Sequence, residues 1–376
     1  MAARCQRISA HISAMLKLRF RNFSKNFLGN REIRHFSLDV CFIVQSEKRQ
    51  EQKDAETGCR RKNLYNLSNL ESEVMRIKKY GFPYKGSKSS IADWIMSQLP
   101  PAEYFVDLFC GGYAMTHCAL MSNKYQKFIA NDIDGRVHHL WLDSIAGKYR
   151  DERKWVSREE FNRRKTDDGY IAFCWSFGNN GCDYLYSKEI EPYKKAYHEA
   201  VFGDYTAFRK YFPDCPDFNH IENLHERRLA FQRYIKNSDV ARSRRELQEL
   251  ENLERLASIE RLESSERLQS LQSLQSLQMP YNAVKLPENA VILADPPYKD
   301  TNVYSVPFDS DAFHDWASEQ ELPVFICGYE IPEGFFEIGH IGKQQTLCAT
   351  KNAMVTEYLY GNEAAEKSSE KQIGLF

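Results

Sequence analysis

Short apolar runs, each closed by a polar or glycine-bearing turn, set the pattern of this chain beyond residue 80. Ile91, Trp94 and Ile95 stand at helical spacing and predict a helix over Ser90–Gln98. Tyr104–Leu108 and Lys127–Ala130 are short and apolar, as buried strands are, and Gly111-Gly112 opens a helix that runs to Met121. Ala290–Ala294, Pro323–Cys327, Gln344–Cys348 and Val355–Leu359 predict later strands. A short Lys351–Ala353 turn joins the last two, which predicts an antiparallel hairpin at the end of the sheet. Strands alternating with helices predict an α/β fold with a mostly parallel sheet.

Between these halves the pattern changes. Glu159–Lys165, Ile190–Val201 and His220–Lys236 carry charged helical patterns and predict a mainly helical insertion over residues 141–284. Within it, Leu247, Leu250, Leu253, Leu256 and Ile259 recur every third residue, as do Leu268, Leu271, Leu274 and Leu277 in a Leu-Gln-Ser repeat. On a helix, a period of three slips the apolar stripe by roughly 60° per repeat, which argues against a plain coiled coil. A packed or solvated helix is the expectation, with an oligomerisation arm or a tolerated spacer as alternatives.

Residues 1–74 differ again. No acid precedes Glu32, whereas Arg4, Arg7, Lys17, Arg19, Arg21, Lys25 and Arg31 do. That composition resembles an organellar presequence. The alternative is an over-extended start, with translation beginning at Met75. Poor order is expected there on either reading, and removing residues 1–74 is expected to leave an active enzyme.

The chain has 376 residues, 42% hydrophobic and 27% charged, which suffices for one large α/β domain with an insertion. Net charge is −1, so no global basic field marks a protein that coats nucleic acid, and a DNA enzyme needs a local basic surface instead. The 10 cysteines form no Cys-x-x-Cys pair and no metal spacing with histidine, so no metal site is expected. They read as reduced thiols of a cytoplasmic protein. No apolar run approaches the roughly 20 residues that span a bilayer.

Two blocks close strands in a way that suggests chemistry. Asp107-Leu108-Phe109-Cys110-Gly111-Gly112 follows the first strand, and Asp295-Pro296-Pro297-Tyr298 follows Ala290–Ala294. In open α/β sheets, ligands bind outside the carboxyl ends of the strands, so both blocks would face one crevice. Pro83-Tyr84-Lys85-Gly86-Ser87-Lys88 lies upstream, and Asn131-Asp132-Ile133-Asp134 closes the second strand. In this order the four blocks resemble the S-adenosylmethionine-dependent DNA adenine methyltransferases of the Dam type, over roughly residues 79–140 and 285–360. The resemblance implies a Rossmann-like catalytic domain from residues 75–140 and 285–376, with 141–284 as an inserted target-recognition region. It implies methyl transfer to the N6 amine of adenine in double-stranded DNA, after base flipping.

It also implies roles for residues. The adenine amine is a poor nucleophile because its lone pair is delocalised into the ring. Asp295 and the carbonyl of Pro296 would accept its two hydrogen bonds, Pro297 would stiffen the loop, and Tyr298 would stack on the flipped base. For S-adenosylmethionine, Gly111 and Gly112 would allow close backbone approach. Asp107 and Phe109 would lie by the methionine portion, Asp132 would take the ribose hydroxyls and Ile133 would pack on the adenine ring. Tyr84 and Lys88 would sit beside the methionine carboxylate, although Lys88 also reads as a surface lysine, and Asp295 would border the cofactor as well as the amine. Tyr113 stands where the family has a small residue, which leaves the cofactor's exact seating open. Asp134 and Asp143 read as solvated helix-face carboxylates.

Contacts to DNA are expected from the loop Trp175–Gly181, through Asn179, Asn180 and Gly181, and from a basic run containing Arg227 and Arg228. A structural turn and a solvated helix face are the respective alternatives. Asp before Pro-Pro-Tyr resembles the adenine class. An N4-cytosine or RNA-base enzyme of the same fold, or a catalytically degenerate DNA-binding protein, stays open, as does a companion restriction endonuclease.

Overall fold

A sheet of seven strands, covered on both faces, organises the chain. The computed structural model describes residues 80–149, 152–238, 273–297, 308–344 and 354–373. The extension before residue 75, residues 239–272 of the leucine-rich stretch, and Tyr298 lie outside them.

Helix α1 (Ala92–Gln98) precedes strand β1 (Tyr104–Asp107). Then come α2 (Ala114–Ser122), β2 (Lys127–Asn131) and α3 (Gly135–Ile145). The intervening segment holds α4 (Arg158–Arg164), a π-helical turn over Tyr170–Cys174, α5 (Glu191–Val201) and α6 (Leu224–Asn237). Strand β3 (Leu274–Leu277), β4 (Ala290–Ala294), α7 (Ser310–Ser318) and β5 (Val324–Gly328) follow. The chain ends in β6 (Phe336–Gln344), β7 (Met354–Gly361) and α8 (Glu363–Ile373).

The strand order is β3-β2-β1-β4-β5-β7-β6. The first five strands run parallel, whereas β7 is antiparallel to both β5 and β6. The expected mostly parallel, Rossmann-like sheet with a terminal hairpin is therefore present. Every residue of β4 and β5 is buried, as expected of strands with helices on both faces. Phe105, Leu293 and Phe325 point to the face of α1 and α2. Val106, Ile292 and Ile326 point to the face of α7. The chain leaves β1 toward β2 on one side and returns as β4 on the other. The crevice of this sheet therefore opens between the carboxyl ends of β1 and β4.

Two expectations need correction. The Leu-Gln-Ser repeat was expected to be helical, yet its end is the edge strand β3, paired in parallel with β2. The reason is parity. Side chains alternate on a strand, so leucines three apart fall on opposite faces. Leu274 packs into the clusters on one side of the sheet and Leu277 into the cluster on the other. The penultimate strand was expected at Gln344–Cys348; β6 spans Phe336–Gln344, while residues 345–348 and the expected Lys351–Ala353 turn lie outside the described residues. A bulge between Glu337 and Gly339 breaks the alternation that would have marked its start.

The repeat also makes this strand tolerant of one specific lesion. Deleting Leu274–Ser276 brings Leu271, Gln272 and Ser273 into the same three positions. Thermal stability is expected to stay near that of the intact protein. Deleting Ser276 alone shifts the alternation by one and should lower it markedly. Equal melting temperatures for the two deletions would contradict this register.

The insertion is packed by aromatic rings. Phe161, Tyr170, Phe173 and Tyr184 join Phe82, Tyr113 and Trp141 in one cluster. Tyr197, Phe208, Phe212 and Phe231 form a second, between α5 and α6. Among the described residues no helix is long and apolar enough to cross a membrane.

Candidate active site

The carboxyl ends of β1, β2 and β4 converge on a cavity of about 750 Å³, within the usual size of a small-molecule site. Tyr84, Lys88, Asp107, Phe109, Gly111, Gly112, Asp132, Ile133, Asp295 and Pro297 all line it. Pro296 does not.

Asp107 ends β1. Its Oδ2 accepts from the Thr116 amide (3.1 Å) and the Thr116 hydroxyl (2.7 Å), both at the start of α2. Burial pushes this carboxyl up to about 7; the bonds from Thr116 oppose the rise, and the charges of Asp295 and Asp132 reinforce it. Asp132 ends the segment after β2. One oxygen accepts from the Gly111 amide (2.9 Å) and the other from the Asp134 amide (2.9 Å). Burial again dominates and raises it to about 6. Ile133 beside it is 45% exposed, an apolar face at the cavity wall.

The glycine pair is required by Tyr84. A Cβ on Gly111 would lie 2.8 Å from the Tyr84 ring, and one on Gly112 would lie 2.5 Å from the Tyr84 Cβ. The Phe82 amide donates to the Gly112 carbonyl (2.9 Å), which fastens the segment before α1 to this loop. Tyr113, which follows, has φ 59°. This left-handed turn sends its ring away from the cavity to stack on Trp141, 4.6 Å between centroids. Its hydroxyl meets His138 Nδ1 (2.6 Å) and Ser276 Oγ (3.0 Å). The bulk that left the cofactor's seating open is therefore in the core.

Asp295 follows β4, with its side chain 21% exposed. The Lys88 ammonium donates to both of its oxygens at 2.6 Å and stands 3.4 Å from Glu357 Oε1 on β7. Lys88 is buried, so the surface reading of this lysine is wrong. Burial alone would lower the ammonium's pKa, but Asp295 and Glu357 outweigh it and the net shift is upward. Asp134 is also not a free helix-face carboxylate, since it caps α3 through the Arg136 amide and pairs with the Arg136 guanidinium.

The loop after the π-helical turn forms the cavity's far rim. Gly178 (φ 60°), Asn179 (φ 57°) and Gly181 (φ 71°) all take left-handed conformations. Asn180 Oδ1 accepts from the amides of Cys182 and Asp183, and the Asn179 carbonyl accepts from the Lys85 amide. Asn179 and Asn180 line the cavity, whereas Gly181 stands behind them against Phe173. Among the described residues, Asn179 Oδ1 is buried and has no hydrogen-bond partner. Phe177 at the loop's tip is 61% exposed.

Arg227 and Arg228 stand elsewhere. Arg227 donates to the carbonyls of Ile221, Val201 and Asn219. Arg228 is buried. Arg227 thus ties α6 to its neighbours in the insertion, and neither arginine lines the cavity.

Sequence reasoning missed Glu357, Arg136 and the wall formed by Met279, Pro280, Tyr281 and Asn282. Glu357 had a signal, being an acid on the same strand face as Val355 and Leu359. The wall had none, because it is placed by β3.

The residues suit S-adenosylmethionine. The cavity is large enough, and Asn179 Oδ1 has no partner among the described residues. Carboxylates stand at three strand ends, where a cofactor with an ammonium and a sulfonium needs negative charge. A family model described as D12 class N6 adenine-specific DNA methyltransferase matches residues 84–321, more than half of the chain. No curated protein matches it.

Proposed function

This chain belongs to the D12 class of N6 adenine-specific DNA methyltransferases, and we propose that it works on an adenine rotated out of the duplex, oriented by Asp295, with S-adenosylmethionine seated between β1 and β4. The family's activity is methyl transfer to the exocyclic amine of adenine in DNA, which decides against the cytosine, RNA-base and binding-protein readings. The observation that carries the site assignment is the meeting of Asp107, Asp132 and Asp295 in one cavity at the sheet's topological switch point.

When bound, S-adenosylmethionine supplies an electrophilic sulfonium methyl. The chain's own residues do the rest. Asp107 has one oxygen tied to Thr116 and offers the other to the cofactor's ammonium. Asp132 keeps lone pairs for the ribose hydroxyls, and Ile133 offers a flat apolar contact to the adenine ring. Asp295 accepts a hydrogen bond from the target amine and so draws the nitrogen's lone pair out of the ring; the Pro296 carbonyl, expected to accept the second, belongs to a residue that does not line the cavity. Asp295, which holds the amine, also takes the proton that the methylated nitrogen sheds. A stacked adenine cannot reach a carboxylate at the end of a buried strand, so the base leaves the duplex. The rigid loop with Asn179 and Asn180 flanks its entry.

Single-molecule sequencing of DNA from a host expressing the chain tests the reading, because it reports the modified base and its flanking sequence. N6-methyladenine at a defined motif is expected. Unmodified adenines would defeat it.

Cofactor binding is expected to release protons. Asp107 and Asp132 have carboxyls raised to about 7 and about 6, above the roughly 4 of an unfolded chain. The folded protein therefore binds more of these protons than the unfolded one between those values, and their contribution to stability falls as pH rises. A cationic ligand favours their ionised forms, so affinity should rise as pH climbs from below 6 to above 7. Calorimetry in buffers of different ionisation enthalpy measures the released protons. An affinity flat across that range would show that neither acid meets the cofactor.

A further inference from the structure

Strand β7 carries an acid where its neighbours on the same face are apolar. Val355 and Leu359 share that face with Glu357, and Leu359 is fully buried. The Glu357 side chain is only 1% exposed. A buried carboxylate costs stability unless it is paired, and an apolar residue of the same volume would often serve the fold better. Its presence on a core strand calls for a task beyond packing.

The task is visible in the neighbour it meets. Lys88 Nζ lies 3.4 Å from Glu357 Oε1 and 2.6 Å from both oxygens of Asp295. The two acids differ in access, since Asp295 is 21% exposed at the cavity and Glu357 is not. One ammonium thus bridges an acid that faces the cavity and an acid that does not. We propose that Glu357 is a positioning residue for the methyl transfer, anchoring the Lys88 ammonium so that Asp295 presents its carboxylate to the adenine amine in one orientation. This rests on the reading of Asp295 as the amine's acceptor.

Two physical points support the arrangement. A lysine ammonium rides on a flexible stem and by itself fixes no geometry. Glu357 belongs to a strand paired on both sides, at the sheet's antiparallel end, and gives the ammonium a rigid partner. Charge is the second point. A lone Lys–Asp pair is neutral and blunts the carboxylate as an acceptor. Two carboxylates around one ammonium leave the cluster net negative, so Asp295 keeps its pull on the amine's hydrogen.

Single-turnover methylation of duplex DNA by the full chain tests the proposal. Glu357→Gln preserves shape and removes charge. It is expected to slow transfer about 10- to 100-fold, the range typical when a residue that orients a reacting group is lost. Affinities for S-adenosylmethionine and DNA should be unchanged. In a Lys88→Met background the same substitution should cost nothing further, because its effect passes through Lys88. A wild-type rate for Glu357→Gln, or an equal loss in both backgrounds, overturns the proposal. Should the glutamine variant fail to fold, Glu357→Asp carries the test. An intermediate rate supports the role, and a wild-type rate overturns it. Asp295→Asn separates the two levels of inference. If that variant methylates normally, the reading of Asp295 itself fails. If it is inactive while Glu357→Gln is not, only the role of Glu357 falls.

Discussion

Asp295→Asn is expected to slow the methyl-transfer step by about 10²- to 10³-fold, roughly 3–4 kcal/mol in barrier, the cost of losing one preorganised group at a reacting centre. Cofactor affinity should stay close to that of the intact enzyme, because Asp107, Asp132 and the glycine loop hold S-adenosylmethionine without Asp295. The amide keeps the side chain's shape but replaces one acceptor by a donor and removes the charge. It therefore accepts the amine's hydrogen more weakly and draws the lone pair out of the ring less. Asp295→Ala adds a second penalty. Lys88 is buried and gives two of its hydrogen bonds to Asp295. Removing one partner of a buried ion pair costs about 3–5 kcal/mol when both are enclosed. Here the cost is smaller, since Asp295 is partly exposed and Glu357 still faces the ammonium. The alanine variant should thus be both inactive and less stable, and the asparagine variant slowed with less loss of fold. Rapid-quench single-turnover kinetics and urea denaturation separate these effects. A near wild-type rate for Asp295→Asn would remove Asp295 from the chemistry.

The parts of this site that were legible in the sequence share one property. Asp107, Asp132 and Asp295 each follow a short apolar run, and a strand's end is a local event. Once the order of the runs indicates a parallel sheet, its switch point brings the ends together. What was illegible depends on distant pairing. Lys88 and Asp295 are 207 residues apart, and no local pattern joins them. The repeat around Leu274 was read against a helical period, where three fits badly, whereas the odd number suits a strand with both faces covered. Helix α7 carried readable signals, with Asp309 capping its first amides and Phe313 and Ala317 one turn apart. Arg227 and Arg228 looked like phosphate contacts by charge alone. The structure spends Arg227 on three backbone carbonyls and buries Arg228.

Tyr113→Gly is expected to destabilise the fold by about 2–3 kcal/mol while leaving cofactor affinity unchanged. The ring is fully buried and stacks on Trp141, with its hydroxyl between His138 and Ser276. Truncating a buried aromatic typically costs about 3–5 kcal/mol. Part is returned, because Tyr113 holds φ 59°, a conformation that costs a non-glycine residue roughly 1–2 kcal/mol. Tyr113→Ala keeps that strain and loses the ring, so it should be the less stable of the two variants. The hydroxyl also ties α2 to β3 through Ser276, so loosening is expected first at the edge strand that follows the leucine repeat. Hydrogen exchange at β3 measures this, and chemical denaturation with a cofactor titration measures the rest. If the ring instead faced the cavity, glycine would change S-adenosylmethionine affinity and spare stability. That outcome would reverse the placement of Tyr113 and reopen the seating of the cofactor.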